Sequence, residues 1–271
     1  MATKNNWFTT NLAARTKDNL CDFEISIKPY NFKKGIFLEE AKRVARDLVY
    51  EYDNLYIGYS GGLDSEFVLK TFYEQGLPIT PVLIDTPYNN LESEWALKFC
   101  KDRNIKFEVL SFTKNEIIDK LKQKTLTQGF YSLLGGLPII ICDEVNKIGG
   151  KLLTGYGEPF TTIPGLQPNH KISTKLEFCE WDYYLDTYDR SHPSGFFTYD
   201  LGLFYSLVEQ IRYDCATQVA KYEFYNLPSR QKMFWKKEFY NIFIELKIEV
   251  EHNYYIEKNT LFQDLNNYRM E

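Results

Sequence analysis

Leu55-Tyr56-Ile57-Gly58-Tyr59-Ser60-Gly61-Gly62-Leu63-Asp64-Ser65 decides how the rest of the chain is read. Residues 55–59 form an apolar run that ends in a glycine pair, and Phe67, Val68 and Phe72 then mark a helix that starts at Asp64. The stretch therefore reads as strand, tight turn, helix. Two glycines permit positive backbone torsions and let the main chain approach a ligand closely. Consecutive amides in such a turn form a concave nest, and the following helix adds the partial positive charge of its amino end. Ser60 and Ser65 supply hydroxyl donors beside that nest. A carboxylate at Asp64 repels an anion when it stands alone, so a bridging Mg2+ is the natural reason for it.

Working outward, Leu38, Ala41, Val44, Ala45, Leu48 and Val49 recur at helical spacing before the strand and predict an amphipathic helix ending near Glu51. Beyond the loop the alternation repeats. Residues 79–85 and 106–110 read as strands, and Leu91, Trp95 and Phe99 mark a helix between them. Residues 114–126 read as helix, and a further helix is expected from Pro138 to about residue 148, with proline as a first-turn residue. Gly149 and Gly150 end it, and residues 151–154 give a fourth strand. This pattern predicts the α/β class: a doubly wound, Rossmann-like parallel sheet with helices on both faces. Ligands of such sheets sit beyond the carboxyl ends of the strands, here Tyr59, Asp85 and Thr154. Three regions follow: a lead-in over 1–34 with one strand at 22–28, an α/β domain over 35–158, and a mainly helical extension over 159–271. Within the extension an aromatic, extended segment is expected at 177–188. Helix is expected around Phe204, Leu207, Val208 and Ile211, and again over 230–246.

Ser60-Gly61-Gly62-Leu63-Asp64-Ser65 matches SGGxDS at every defined position, and in this the chain resembles the PP-loop ATP pyrophosphatases, the adenine nucleotide alpha hydrolase-like superfamily. No Gly-Lys-Ser/Thr follows, so it is not a Walker loop. The resemblance covers about residues 36–158 and implies ATP gripped by its β- and γ-phosphates, with attack on the α-phosphorus. It implies that Gly58, Tyr59, Ser60, Gly61, Gly62, Leu63, Asp64 and Ser65 border the phosphates, with Ser60, Asp64 and Ser65 as the catalytic groups. Ile84 and Asp85, ending the second strand, are implied beside the adenosine. Leu153-Thr154-Gly155-Tyr156-Gly157-Glu158 looks like the glycine-and-acid turn of asparagine synthetase-type members, which places Gly155, Tyr156 and Gly157 at the nucleotide. The same resemblance puts Glu158 with Asp64 on the metal. Pro159-Phe160 stands where that turn has its second acid. Residues 159–271 are then the region for a second, small-molecule substrate, and Lys171, Lys175 and Lys221 are candidates for a lysine near the γ-phosphate.

Composition removes other classes. Five widely scattered cysteines with no C-x-x-C pair suggest neither a zinc site nor a disulfide framework, and a reducing, cytoplasmic setting fits them. A net charge of −5 gives no general attraction to nucleic acid. Residues 1–10 do not read as a secretory signal, and the apolar run 133–142 is too short to span a bilayer. The lead-in also leaves no room for a glutaminase domain, so ammonia from glutamine in this chain is not expected. His170, His192 and His252 do not suggest a nucleophile system. Two alternatives stay open: an adenylyl-sulfate (PAPS) reductase-like enzyme, which wants a lysine in the loop and a reactive late cysteine, and a non-catalytic adenine-nucleotide-binding module.

Overall fold

The computed structural model describes residues 8–11, 24–27, 35–86, 90–128, 133–157, 159–160, 173–174, 181–182, 184–185 and 188–214. Strands β1 (Phe8–Asn11) and β2 (Glu24–Ile27) form an antiparallel pair. Only β2 is evident from alternation; β1 lies in the stretch expected to be irregular, where Phe8-Thr9-Thr10-Asn11 carries too little apolar signal. Then come α1 (Phe37–Glu51), β3 (Leu55–Gly58), α2 (Leu63–Tyr73), β4 (Thr80–Asp85), α3 (Asn90–Asp102) and β5 (Glu108–Ser111). Helices α4 (Lys114–Gln128) and α5 (Leu133–Lys147) lead to β6 (Lys151–Leu153). A short antiparallel pair, β7 (Pro159–Phe160) and β8 (Ser173–Thr174), precedes a 3-10 turn at Phe196–Thr198 and helix α6 (Leu201–Asp214).

The central sheet is parallel, in the order β5-β4-β3-β6. Because side chains alternate along a strand, each face has its own partners. Leu55, Ile57, Leu83 and Leu153 join buried residues of α1, α2 and α3 in one core cluster. Val82 and Leu152 join Ile139, Ile141, Cys142 and Val145 of α5, with Trp181, Tyr184 and Leu185, in the other. The sheet is therefore doubly wound. The chain moves outward from β3 through β4 to β5, then returns by α4 and α5 to place β6 on the opposite side of β3. The crevice between the carboxyl ends of β3 and β6 is the topological switch point, where open α/β sheets bind ligands.

Two expectations are corrected. Helix α5 begins at Leu133, not near Pro138, which lies inside it. Proline costs an interior helix one backbone bond. That loss is offset by burial of Ile139, Ile140 and Ile141, and by close packing of α4, where a side chain at Gly136 would meet Leu121 at 2.9 Å. The aromatic stretch expected to be extended is helical at residues 181–182 and 184–185. Trp181 and Tyr184 are buried there with stacked rings 5.6 Å apart. The helix expected at 230–246 lies outside the described residues.

The segment after residue 192 completes the first core. Phe196 and Phe197 are fully buried against Phe67, and Phe37 stacks on Phe67 at 5.2 Å. Asp200 accepts the amides of Gly202 and Leu203 at the start of α6 and pairs with Arg43 of α1 at 2.5 Å. The Tyr199 hydroxyl donates to Glu51.

Candidate functional site

The loop between β3 and α2 is held by its own hydroxyls. Gly61 has φ 74°, the left-handed region that favours glycine. The Ser60 amide donates to Ser65 Oγ at 3.3 Å, and the two hydroxyl oxygens are 3.2 Å apart. The Gly62 amide donates to Ser60 Oγ at 3.2 Å, and the Ser65 hydroxyl donates to the Gly62 carbonyl at 3.2 Å. One proton assignment satisfies all four, with Ser60 donating to Ser65. Every bond is at or beyond the long end of the normal range, so each is readily exchanged for a stronger, charge-assisted one.

Gly62 caps α2 in extended conformation with no side-chain cap. The first amides of the helix, from Leu63 to Ser65, have no intrahelical acceptor by construction, and together with the helix dipole they suit an anion. Ser60 is exposed, Asp64 half-buried and Ser65 buried. Asp64 lies in the first turn, where the dipole favours a carboxylate. A single carboxylate in this loop fits a Mg2+ held jointly by protein and phosphates, since that ion keeps several non-protein ligands.

The second wall is the turn after β6. A side chain at Gly155 would lie 2.9 Å from the Ser65 amide nitrogen and 3.1 Å from the Asp64 carbonyl carbon, so only glycine lets this turn rest on the first turn of α2. Gly157 has φ 93°, and a side chain there would meet Thr198 at 2.4 Å. Gly195 in turn lies under the Tyr156 carbonyl, which a side chain would approach to 2.5 Å. Thr154 forms a parallel bridge with Gly195, and Phe196 and Phe197 donate their amides to the Thr154 and Tyr156 carbonyls at 2.9 and 3.2 Å. Among the described residues, Thr154 Oγ1 is buried without a hydrogen-bond partner. An unpaired buried hydroxyl costs about 1–3 kcal/mol, which a bound polar group removes.

The structure thus brings together Ser60, Gly61, Gly62, Asp64, Ser65 and Gly155, with Tyr156 and Gly157 continuing the same turn, whereas Gly58 ends β3 facing Ile141 and Leu152 of the second core. Ile84 and Asp85, both half-buried, end β4 on the same edge of the sheet. Tyr59 differs from the rest. Its side chain is 2% exposed and lies in the core, with its hydroxyl donating to Glu66 at 3.2 Å, so only its backbone borders the loop. Burial, with the Glu66 charge beside it, pushes that phenol far above its ordinary range. The Leu63 side chain, Glu158, Lys171, Lys175, Lys221, His170 and His252 lie outside the described residues.

Cys100 and Cys142 are buried, and burial pushes both thiols up to about 12, so neither is a nucleophile at neutral pH. Thr154 was expected only as a strand end on the ligand edge and His192 only as lying outside a nucleophile system; their pairing with Gly195 and the Leu152 amide, and the run from Gly195 to Thr198, were not foreseen. A one-residue bridge has no periodicity, and the only signal was Pro193-Ser194-Gly195 breaking the chain before two phenylalanines.

No protein-family model matches the chain, and no curated protein does. Among solved structures, the glutamine-dependent NAD+ synthetase of Acinetobacter baumannii in complex with ADP is 15% identical, covering 49% of this chain and 28% of its own, with a TM-score of 0.36. An NH3-dependent NAD synthetase of Campylobacter jejuni in complex with nitrate is 19% identical, covering 43% of this chain and 54% of its own, with a TM-score of 0.33. An NMN synthetase of Francisella tularensis is 14% identical, covering 74% and 96%, with a TM-score of 0.35. The chain spans well under two thirds of the first two. The chain resembles the PP-loop ATP pyrophosphatases. What carries that statement is the loop and its strand-turn-helix setting. No helix of the described residues is long and apolar enough to cross a membrane.

Proposed function

We propose that the chain binds ATP in the crevice between β3 and β6 and transfers AMP to an acceptor, releasing pyrophosphate. One observation carries this reading: the Gly155 backbone rests on the first turn of α2, which joins the loop and the β6 turn into one glycine-lined crevice. The unpartnered Thr154 hydroxyl beside it supports the same reading.

An acceptor oxygen, from a carboxylate or an amide-type carbonyl, attacks the α-phosphorus. The bond from that phosphorus to the bridging oxygen breaks, and the electron pair leaves with pyrophosphate. The loop amides and the Ser60 and Ser65 hydroxyls exchange their long internal bonds for the β- and γ-phosphate oxygens. They stabilise the charge that grows as pyrophosphate departs. Asp64 and Glu158 would hold Mg2+, which supplies charge neutralisation when bound. Adenosine lies toward Ile84 and Asp85. AMP leaves when a nitrogen or sulfur nucleophile attacks the activated acceptor, which residues 159–271 help to bind. The partners are ATP and a small molecule, with no membrane, and the net charge of −5 gives no general attraction to nucleic acid. Most of the catalysis is positioning, so no protein acid or base is needed.

The test is product analysis with α-labelled ATP, Mg2+ and a small-molecule cell extract. Label in AMP or an AMP-ester with stoichiometric pyrophosphate is expected; label in ADP would sink the proposal. ATP binding without turnover in any extract favours a binding module. Asp64→Asn is expected to lower turnover at least about 100-fold with an unchanged circular dichroism spectrum. Wild-type turnover in that variant removes Asp64 from the mechanism.

A further inference from the structure

The donor atoms of Cys142, Asp189 and His192 lie within 4.8 Å of one another, a spacing that suits a metal ion. The hydrogen bonding of His192 opposes a metal. Its Nδ1 accepts the Leu152 amide at 2.8 Å, so the neutral ring carries its proton on Nε2 and has no lone pair there for an ion. A metal-bound histidine donates from its other nitrogen, whereas here the other nitrogen accepts. Nε2–H instead faces three acceptors: Asn146 Oδ1 at 3.0 Å, Asp189 Oδ2 at 3.1 Å and Cys142 Sγ at 3.3 Å.

The Leu152 bond has a structural purpose. Among the described residues β6 is the edge of the sheet, its one partner strand being β3. Its outward groups fall at alternate residues, as the period of a strand requires. The Leu152 amide goes to His192, the Thr154 carbonyl to the Phe196 amide, and the Tyr156 carbonyl to the Phe197 amide. The Trp181 indole donates to the Pro193 carbonyl at 3.3 Å from the second core. Residues 192–197 are thus zipped along the edge of β6, and the ring of His192 stands at one end in place of a neighbouring strand's carbonyl.

We propose that His192 is a positioning residue: its neutral ring sets the register of residues 192–198 on β6, thereby shaping the turn at 154–157 over the loop, and acid releases it. The consequence for nucleotide rests on the function proposed above. Protonation puts a hydrogen on Nδ1 against the Leu152 N–H, two donors face to face, and the bond is lost. The groups around the ring are Cys142 of α5, Lys151 of β6 and Asp189, with Tyr184 and Asp143 acting on Cys142. Burial, the largest influence, holds the ring below its ordinary value; Asp189 pulls the other way and Lys151 adds to the lowering. A depressed histidine contributes stability that is present above its unfolded value near 6.5 and lost as pH falls through the folded one.

The test is amide hydrogen exchange with nitrogen-15 spectra of the histidine ring, on the full chain. The Nε2–H tautomer is expected near pH 7.5. His192→Leu is expected to speed exchange at Leu152 and Phe196 about 10-fold or more, while His192→Asn, whose Oδ1 stands in for Nδ1, keeps the protection. Lowering the wild type to about pH 5 should loosen the same amides beyond the intrinsic rate change, with no such step in His192→Asn. This arm decides even if His192→Leu does not fold. An Nδ1–H tautomer, zinc whose chelation shifts the ring signals, or unchanged Leu152 protection in His192→Leu overturns the proposal. ATP affinity on the same samples should weaken in His192→Leu and hold in His192→Asn. Lost protection with unchanged affinity overturns the link to the crevice. Wild type that binds no ATP sinks the nucleotide reading instead, and exchange still decides the role of His192.

Discussion

At one margin of the sheet, β5 pairs only with β4 among the described residues, and Glu108, Val109 and Ser111 are exposed. At the other, β6 is flanked by residues 192–197, and Leu152, Leu153 and Thr154 are all buried. Both are edge strands of one parallel sheet, and parallel strands are normally covered. The covered margin adjoins the switch point and carries two glycine turns in backbone contact. Beside the bare one, Glu108, Glu144 and Lys147 line a shallow cavity with Val82 and Val109, but no loop amides or glycine turns meet there among the described residues. An edge becomes a crevice wall here when a later segment fixes the backbone beyond the strand, and strand order alone does not achieve that.

The contrast can be broken most forcefully at Phe196. It is fully buried among Phe67, Phe72 and Phe197, and Phe196→Ala is expected to cost about 3–5 kcal/mol in denaturant unfolding. A loss below about 1 kcal/mol would mean the covering segment is dispensable. Next comes Gly155→Ala, whose new methyl meets backbone atoms of Ser65 and Asp64 that cannot step aside. A stability loss of about 1–3 kcal/mol is expected, with ATP affinity falling about 10-fold by titration. Wild-type affinity would separate the β6 turn from the loop. Smallest is Val109→Thr on the bare edge, 39% exposed, for which a change within about 0.5 kcal/mol and unchanged ATP affinity are expected. An effect as large as that of Gly155→Ala would show that the two edges are not distinct in role.

The parallel sheet was legible because its signals are local. Strand 55–59, the glycine pair and the spacing of Phe67 and Phe72 lie within one short window, and the same alternation recurs to residue 154. The loop was legible for the same reason. Pro138 misled because burial of three consecutive isoleucines outweighs one lost backbone bond, and only tertiary packing reveals that balance. Tyr59 sits in a motif yet points to the core, since alternation along β3 sends it toward α2 and α3. His192 and the Thr154–Gly195 bridge join residues some 40 positions apart, one through a ring nitrogen and the other through a one-residue backbone bridge, which leave no trace in spacing or composition.

Arg43 and Asp200 are separated by 157 positions, and Glu51 and Tyr199 by 148. A ribosome therefore delivers the first helix and the loop well before the residues that anchor them. Contacts this distant in the chain must close a long loop before they return any stabilisation, so they form late. The nascent chain holds an open edge at β6 throughout that interval. The covering of the β6 margin arrives in one step, with the emergence of residues 192–200, rather than growing as the sheet is laid down.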